Sequence, residues 1–224
     1  MHEVAQIAPG IQRIQFETFA QWLDARHGIG GSDASAVMGL NPYKTNEELW
    51  MEKTGQLIPE DISDKDYVKY GHDAEPLLRE LFALDFPEYK VEYYGDNMIR
   101  NEKYLWAHAS LDGELVDSDG RRGILEIKTT NILQSMQLEK WKEQIPDNYY
   151  IQVLHYLLVT EYDFVELKAQ LKSSWKGEIR LQTKHYHIER KDVAEDIKLL
   201  KKEEERFWQM VERKQKPALI LPEI

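Results

Sequence analysis

The chain has 224 residues, with 29 lysines and arginines against 40 aspartates and glutamates, a formal net charge of -11 and 42% hydrophobic residues. That length suits one domain over residues 1–224 with a sizeable core, and the composition is that of a soluble globular protein. The absence of cysteine excludes disulfides, zinc–thiolate sites, iron–sulfur clusters and a thiolate nucleophile. No apolar run approaches the ~20 residues that span a bilayer, and the N-terminus lacks a signal-peptide pattern, so a cytoplasmic location is expected. The acidic balance weighs against general nucleic-acid binding, which depends on lysine and arginine neutralising phosphates.

In chain order, Phe19, Trp22 and Leu23 predict a short amphipathic helix over Glu17–Arg26, capped by Thr18 and stopped at Gly28. The glycines before Ser32-Asp33 predict a tight turn into a helix over about Ala34–Gly39. Such a turn is either a plain cap or a set of N–H groups facing a phosphate. Thr45 caps a helix to about Thr54, with Leu49 and Trp50 inward and Gly55 ending it. Glu60–Lys69 reads as a polar connector. Gly71 to Pro76 opens a longer helix to about Phe86, with Pro76 in its first turn and Leu77, Leu78, Leu81 and Phe82 as the buried stripe. Glu75 then stands at that helix start, where a carboxylate also complements the dipole.

Val91–Arg100 is strand material interrupted by Gly95-Asp96-Asn97. Two apolar runs, Leu105–Leu111 and Gly123–Ile127, flank the turn Asp117-Ser118-Asp119-Gly120 and predict a hairpin. A polar, helix-compatible stretch runs to Gln144. Pro146-Asp147 starts an apolar helix over Asn148–Thr160 that contains Gln152, a side chain needing a hydrogen-bond partner there. Phe164–Leu171 and Glu178–Ile188 are predicted strands. His185 and His187 share one face, which without a third ligand in register reads as a solvated edge strand rather than zinc. A charged helix, Asp192–Arg213, closes the chain with Leu199, Leu200, Phe207 and Val211 inward. The order predicts a mixed α/β domain with one central sheet flanked by helices.

The hairpin carries the chemistry. Asp112 follows the first run, while Glu126 and Lys128 are two apart on the second and so share a face. Two carboxylates suit a hard divalent cation, and a lysine beside them suits a nucleophilic water or a phosphate charge. An ordinary surface hairpin with a Glu–Lys face is the competing reading. The Asp…Glu-x-Lys spacing resembles the PD-(D/E)XK nuclease pattern without its literal Pro-Asp opening.

Five segments in order extend the likeness: GIGGSDASAVMGLNPYKTNEELWMEKTG, YGHDAEPLL, HASLDGEL, LEIKTT and YYIQVLHYLL. Together they resemble the YqaJ-type viral recombinases, the phage lambda exonuclease family of the PD-(D/E)XK superfamily, over residues 19–160. The resemblance implies a restriction-endonuclease-like core. It also implies Mg²⁺-dependent 5′→3′ digestion of one strand of linear duplex DNA, with two cations and Mn²⁺ as a substitute. It assigns Asp112, Glu126 and the Ile127 carbonyl as metal ligands and Lys128 as the water-positioning lysine. Glu75 completes the cluster, directly or through water. Arg26, Ser32, Ser110 and Gln152 are assigned to the pocket for the terminal 5′-phosphate. It further implies a homotrimeric ring, a single-strand annealing protein as partner, and a phage or prophage origin. A sequence-specific endonuclease, or a non-catalytic DNA-end-binding recombination scaffold, fits the same fold.

Overall fold

The computed structural model describes residues 3–221. The elements in order are β1 (Glu3–Ala8), β2 (Ile11–Gln15), α1 (Phe19–Asp24), α2 (Gly31–Val37), α3 (Asn46–Lys53), α4 (Asp66–Asp85), β3 (Lys90–Glu92) and β4 (Asn97–Asn101). There follow β5 (His108–Ala109), β6 (Gly113–Val116), β7 (Arg122–Ile132), α5 (Ser135–Glu139), α6 (Asp147–Thr160), β8 (Phe164–Trp175), β9 (Glu178–Glu189) and α7 (Ala194–Glu212). The mixed α/β class is as expected, but the strands form two sheets rather than one, in the orders β1-β2-β4-β5 and β3-β6-β7-β8-β9.

The larger sheet is antiparallel except where β7 runs parallel to β8, the pair joined through α5 and α6. A parallel pair needs such a crossover connection. Alternation along β7 divides its residues between two helices. Leu125 and Ile127 pack with Leu78 and Phe82 of α4, while Ile124 joins the core around α6. From Ile151 to Thr160 every residue of α6 is buried, because the helix packs against α2, α7, β4, β5 and β8. An apolar surface on all sides of a helix requires that enclosure.

Several boundaries differ from expectation. The first strand of the hairpin is β6, after Asp112; within Leu105–Leu111, His108 and Ala109 instead pair with Arg100 and Ile99 in the smaller sheet. Helix α4 begins at Asp66, absorbing part of the supposed connector, so Pro76 lies inside the helix and Glu75 is not at its start. Only part of the expected α4 stripe is buried: Leu78 and Phe82 are inward, Leu77 and Leu81 are 66% and 43% exposed. Leu199, Phe19 and Leu23 are likewise exposed, and Ile197 takes the inward place on α7. Strand β9 is the sheet edge, with His187 hydrogen-bonded to Glu166 and Glu189.

Candidate active site

Two chain segments far apart in sequence are stitched together beside the sheet. Ile29 forms a parallel bridge with Ala107. Its N–H donates to the Trp106 carbonyl at 2.6 Å, and its carbonyl accepts from the His108 N–H at 3.0 Å. Gly28 permits this approach: its φ is +102°, and a Cβ there would lie 2.4 Å from the Trp106 carbonyl oxygen. The stitch carries Arg26 and the start of α2 to β5 and Ser110.

The result is a cavity of about 80 Å³ lined by Arg26, Gly30, Gly31, Ser32, His108, Ser110, Gln152 and Tyr156. All four residues assigned to a phosphate pocket therefore line one cavity. The Arg26 guanidinium lies 4.6 Å from the Trp22 ring centroid, and the Trp22 indole N–H donates to Ser110 Oγ at 3.1 Å and the Asn97 carbonyl at 3.0 Å. Ser110 donates in turn to the Asn97 carbonyl at 2.8 Å, so it reaches a ligand only after its hydroxyl rotates. The α2 start is capped from within: Gly30 N–H donates to Asp33, whose carboxylate pairs with Lys53 at 2.7 Å.

Gln152 joins this cavity to the carboxylate cluster. Its amide donates to Tyr156 Oη at 2.8 Å and to Glu126 Oε1 at 2.9 Å. Lys128 Nζ is 2.6 Å from the same Glu126 oxygen and 5.0 Å from the Tyr149 ring centroid. Asp112 accepts from the Ile127 N–H at 2.8 Å. In a strand the N–H and C=O of one residue point to the same side, so the Ile127 carbonyl faces the edge where Asp112 stands. Glu75 accepts from Arg79 at 3.0 Å, and Arg79 also donates to the Asp112 carbonyl and stacks on Tyr93.

The electrostatics are those of crowded acids. Burial, then the Glu126 and Glu75 charges, push the Asp112 carboxyl well above the usual carboxylate range. Burial also raises Glu126, against the opposing pull of Lys128. For Lys128 burial disfavours the ammonium, but Glu126 and Asp112 outweigh it and hold the proton more tightly than usual. Glu126 is 1% exposed, and its second oxygen, Oε2, is buried without a hydrogen-bond partner.

A divalent cation fits this donor set. A buried carboxylate with one unpartnered oxygen, a half-buried carboxylate that it repels and a main-chain carbonyl are hard oxygen ligands. Among the described residues no three His, Cys, Asp or Glu side chains are grouped to hold a metal ion, and Glu75 accepts from Arg79. Sequence reasoning missed Arg79, Tyr156 and His108. The signals were present: Arg79 is four residues after Glu75, Tyr156 four after Gln152, and His108 two before Ser110.

A family model described as the YqaJ-like viral recombinase domain matches residues 21–163. The chain is 36% identical over 199 residues to YqaJ of Bacillus subtilis, an uncharacterised protein, covering 84% of this chain but only 54% of that protein's length. Among solved structures it is similar to an alkaline exonuclease from Laribacter hongkongensis, with a TM-score of 0.62 and 16% identity over 88% of this chain and 94% of the other. That enzyme has also been solved with dAMP. A phage-related exonuclease from Haemophilus somnus matches with a TM-score of 0.55 and 13% identity over 87% and 99% of the two chains. At these identities the solved structures establish the restriction-endonuclease-like fold.

Proposed function

The chain belongs to the YqaJ-like viral recombinase domain family, and on that premise we propose that it is a metal-dependent exonuclease of phage-type recombination. It digests one strand of linear duplex DNA 5′→3′ from a phosphorylated end, releasing 5′-mononucleotides and leaving a 3′ overhang for an annealing protein. The observation that carries the reading is the junction at Gln152. One side chain links the cavity of Arg26, Ser32 and Ser110 to the Glu126–Lys128 pair.

Each residue then has a chemical task. Arg26 offers a planar fork to phosphate oxygens and is already oriented by Trp22. Asp112, Glu126 and the Ile127 carbonyl would hold Mg²⁺, or Mn²⁺ in its place, with Glu75 joining directly or through water. The cations, two in the family pattern, would neutralise phosphate charge and make water acidic enough to attack at neutral pH. Lys128, kept protonated by its acid neighbours, orients that water or balances the charge that develops on phosphate. The buried faces of Tyr156 and Gln152 limit bulk water at the reacting end.

The charge of -11 suits an enzyme that encloses DNA rather than attracting it at every point. A homotrimeric ring would allow this, with basic residues inward and acid outward. Leu77, Leu81 and Leu84, exposed along one side of α4, are a surface that a neighbouring subunit would cover.

The test is digestion of linear duplexes that differ only in a 5′-phosphate or 5′-hydroxyl, with Mg²⁺ or chelator. Mg²⁺-dependent release of 5′-mononucleotides, faster from phosphorylated ends, is expected. Arg26→Ala should erase most of that preference, since one contact to a charged group is worth about ten- to a hundredfold. An Arg26→Ala protein that discriminates as well as the parent would place the phosphate elsewhere.

A further inference from the structure

His108 has no part in the proposed reaction, yet it lines the cavity. It is 3% exposed, and neither ring nitrogen has a hydrogen-bond partner. A neutral imidazole always carries one N–H donor and one acceptor nitrogen, so either tautomer leaves both unsatisfied here. A buried polar group without a partner asks for an explanation, and a ligand is one.

Gly30 shows where the ring is aimed. A Cβ at that position would lie 3.1 Å from His108 Nε2 and 3.8 Å from Arg26 Nη2. The missing side chain leaves a gap that the imidazole edge and the guanidinium both approach. The backbone of His108 is fixed on both sides. Its N–H donates to Ile29, and its carbonyl is 2.9 Å from His155 Nε2, whose Nδ1 is 2.7 Å from Glu204 Oε1. Helix α7 thereby reaches the cavity wall through a buried Glu204–His155 pair.

We propose that His108 is a phosphate-binding residue of this cavity, donating its Nε2–H to an oxygen of the terminal 5′-phosphate beside Arg26. The inference deepens the exonuclease reading and rests on it. Burial, helped by the nearby His155 and Arg26, lowers the imidazole to about 3, so it acts as a neutral donor. Arg26 supplies charge, and His108 supplies a hydrogen bond of fixed direction. A 5′-hydroxyl end brings neither the charge nor the extra acceptor oxygens that would satisfy both.

Initial digestion rates on the paired 5′-phosphate and 5′-hydroxyl duplexes decide the matter, with the parent, His108→Ala, His108→Phe and His108→Gln. Folding of each is checked by circular dichroism. The rate ratio should fall about ten- to a hundredfold in His108→Ala, the range for one hydrogen bond to a charged group. His108→Phe fills the space without a donor and should lose the ratio too, even where the alanine variant does not fold. His108→Gln, whose amide nitrogen reaches about as far as Nε2, should recover most of it. Folded His108→Ala or His108→Phe protein with the parent's ratio overturns this inference alone. A parent with no preference overturns the cavity's assignment to phosphate, and this inference with it.

Discussion

Replacing Asp112 by asparagine should abolish hydrolysis and stabilise the metal-free fold at the same time. The swap keeps the shape, and the new amide oxygen can still accept from the Ile127 N–H. What changes is charge. Asp112 is repelled by Glu126 and Glu75 and attracted by Lys128, which leaves about one uncompensated repulsion. Unit charges about 4 Å apart interact by roughly 1 kcal/mol in water and 4 kcal/mol at an effective dielectric of 20. The variant should therefore gain between about 1 and 4 kcal/mol when unfolded by urea in the presence of chelator. Activity moves the other way. Losing a proposed metal ligand, one that would stabilise transition-state charge by several kcal/mol, should cost about a thousandfold or more in Mg²⁺-dependent nucleotide release. The reasoning fails if Asp112→Asn digests duplex within tenfold of the parent, or if it is clearly less stable than the parent in chelator.

Two further outcomes follow from packing and from the buried pair. A Cβ at Gly31 would lie 2.5 Å from the Tyr156 ring, so Gly31→Ala should push Tyr156 off Gln152. A cost of about 1–3 kcal/mol is expected, with a larger proportional loss on 5′-phosphate than on 5′-hydroxyl ends; equal losses on both would disconnect this contact from the cavity. For His155, burial disfavours the cation, but Glu204 and the His108 carbonyl outweigh it and raise the pKa above the ordinary 6.5. A raised folded value means that its stabilisation is full below about pH 6.5 and is lost as pH climbs through the folded value. Glu204→Gln should thus cost about 3–5 kcal/mol near pH 6, a gap that narrows in alkali. Denaturation midpoints showing the same gap from about pH 6 to 10 would refute a charged pair.

How much of this was legible in the sequence depends on whether a residue's role is set by its own strand or by a distant partner. Glu126 and Lys128 share a face because strand alternation is local, and Gln152 announced itself as an amide in the middle of an apolar helix. Asp112 was legible too, although its neighbourhood was misread. The run Leu105–Leu111 looks like a hairpin arm, but His108 and Ala109 are claimed by β4 of the other sheet, and periodicity cannot say which strand wins. Helix α4 was cut short for a similar reason. Pro76 reads as a first-turn residue, yet packing of Leu78 and Phe82 on Leu115, Leu125 and Phe164 carries the helix through it from Asp66.

The exposed Leu77 and Leu81 show the limit of hydrophobic pattern in the other direction, since an apolar side chain facing water looks identical in sequence to one facing a core. His108 was the least legible of all. Its meaning comes from Ile29 and Ala107 meeting across the molecule, a contact on which composition, spacing and propensity are silent. The same contact explains why the cavity and the carboxylates adjoin. The stitch brings Arg26 to Ser110, Asp112 follows Ser110 by two residues, and Gln152 lines the same cavity while donating to Glu126. If the proposed reading holds, a phosphorylated end received at Arg26 would lie next to the acids, and selecting an end and positioning it for hydrolysis would both follow from one piece of backbone geometry.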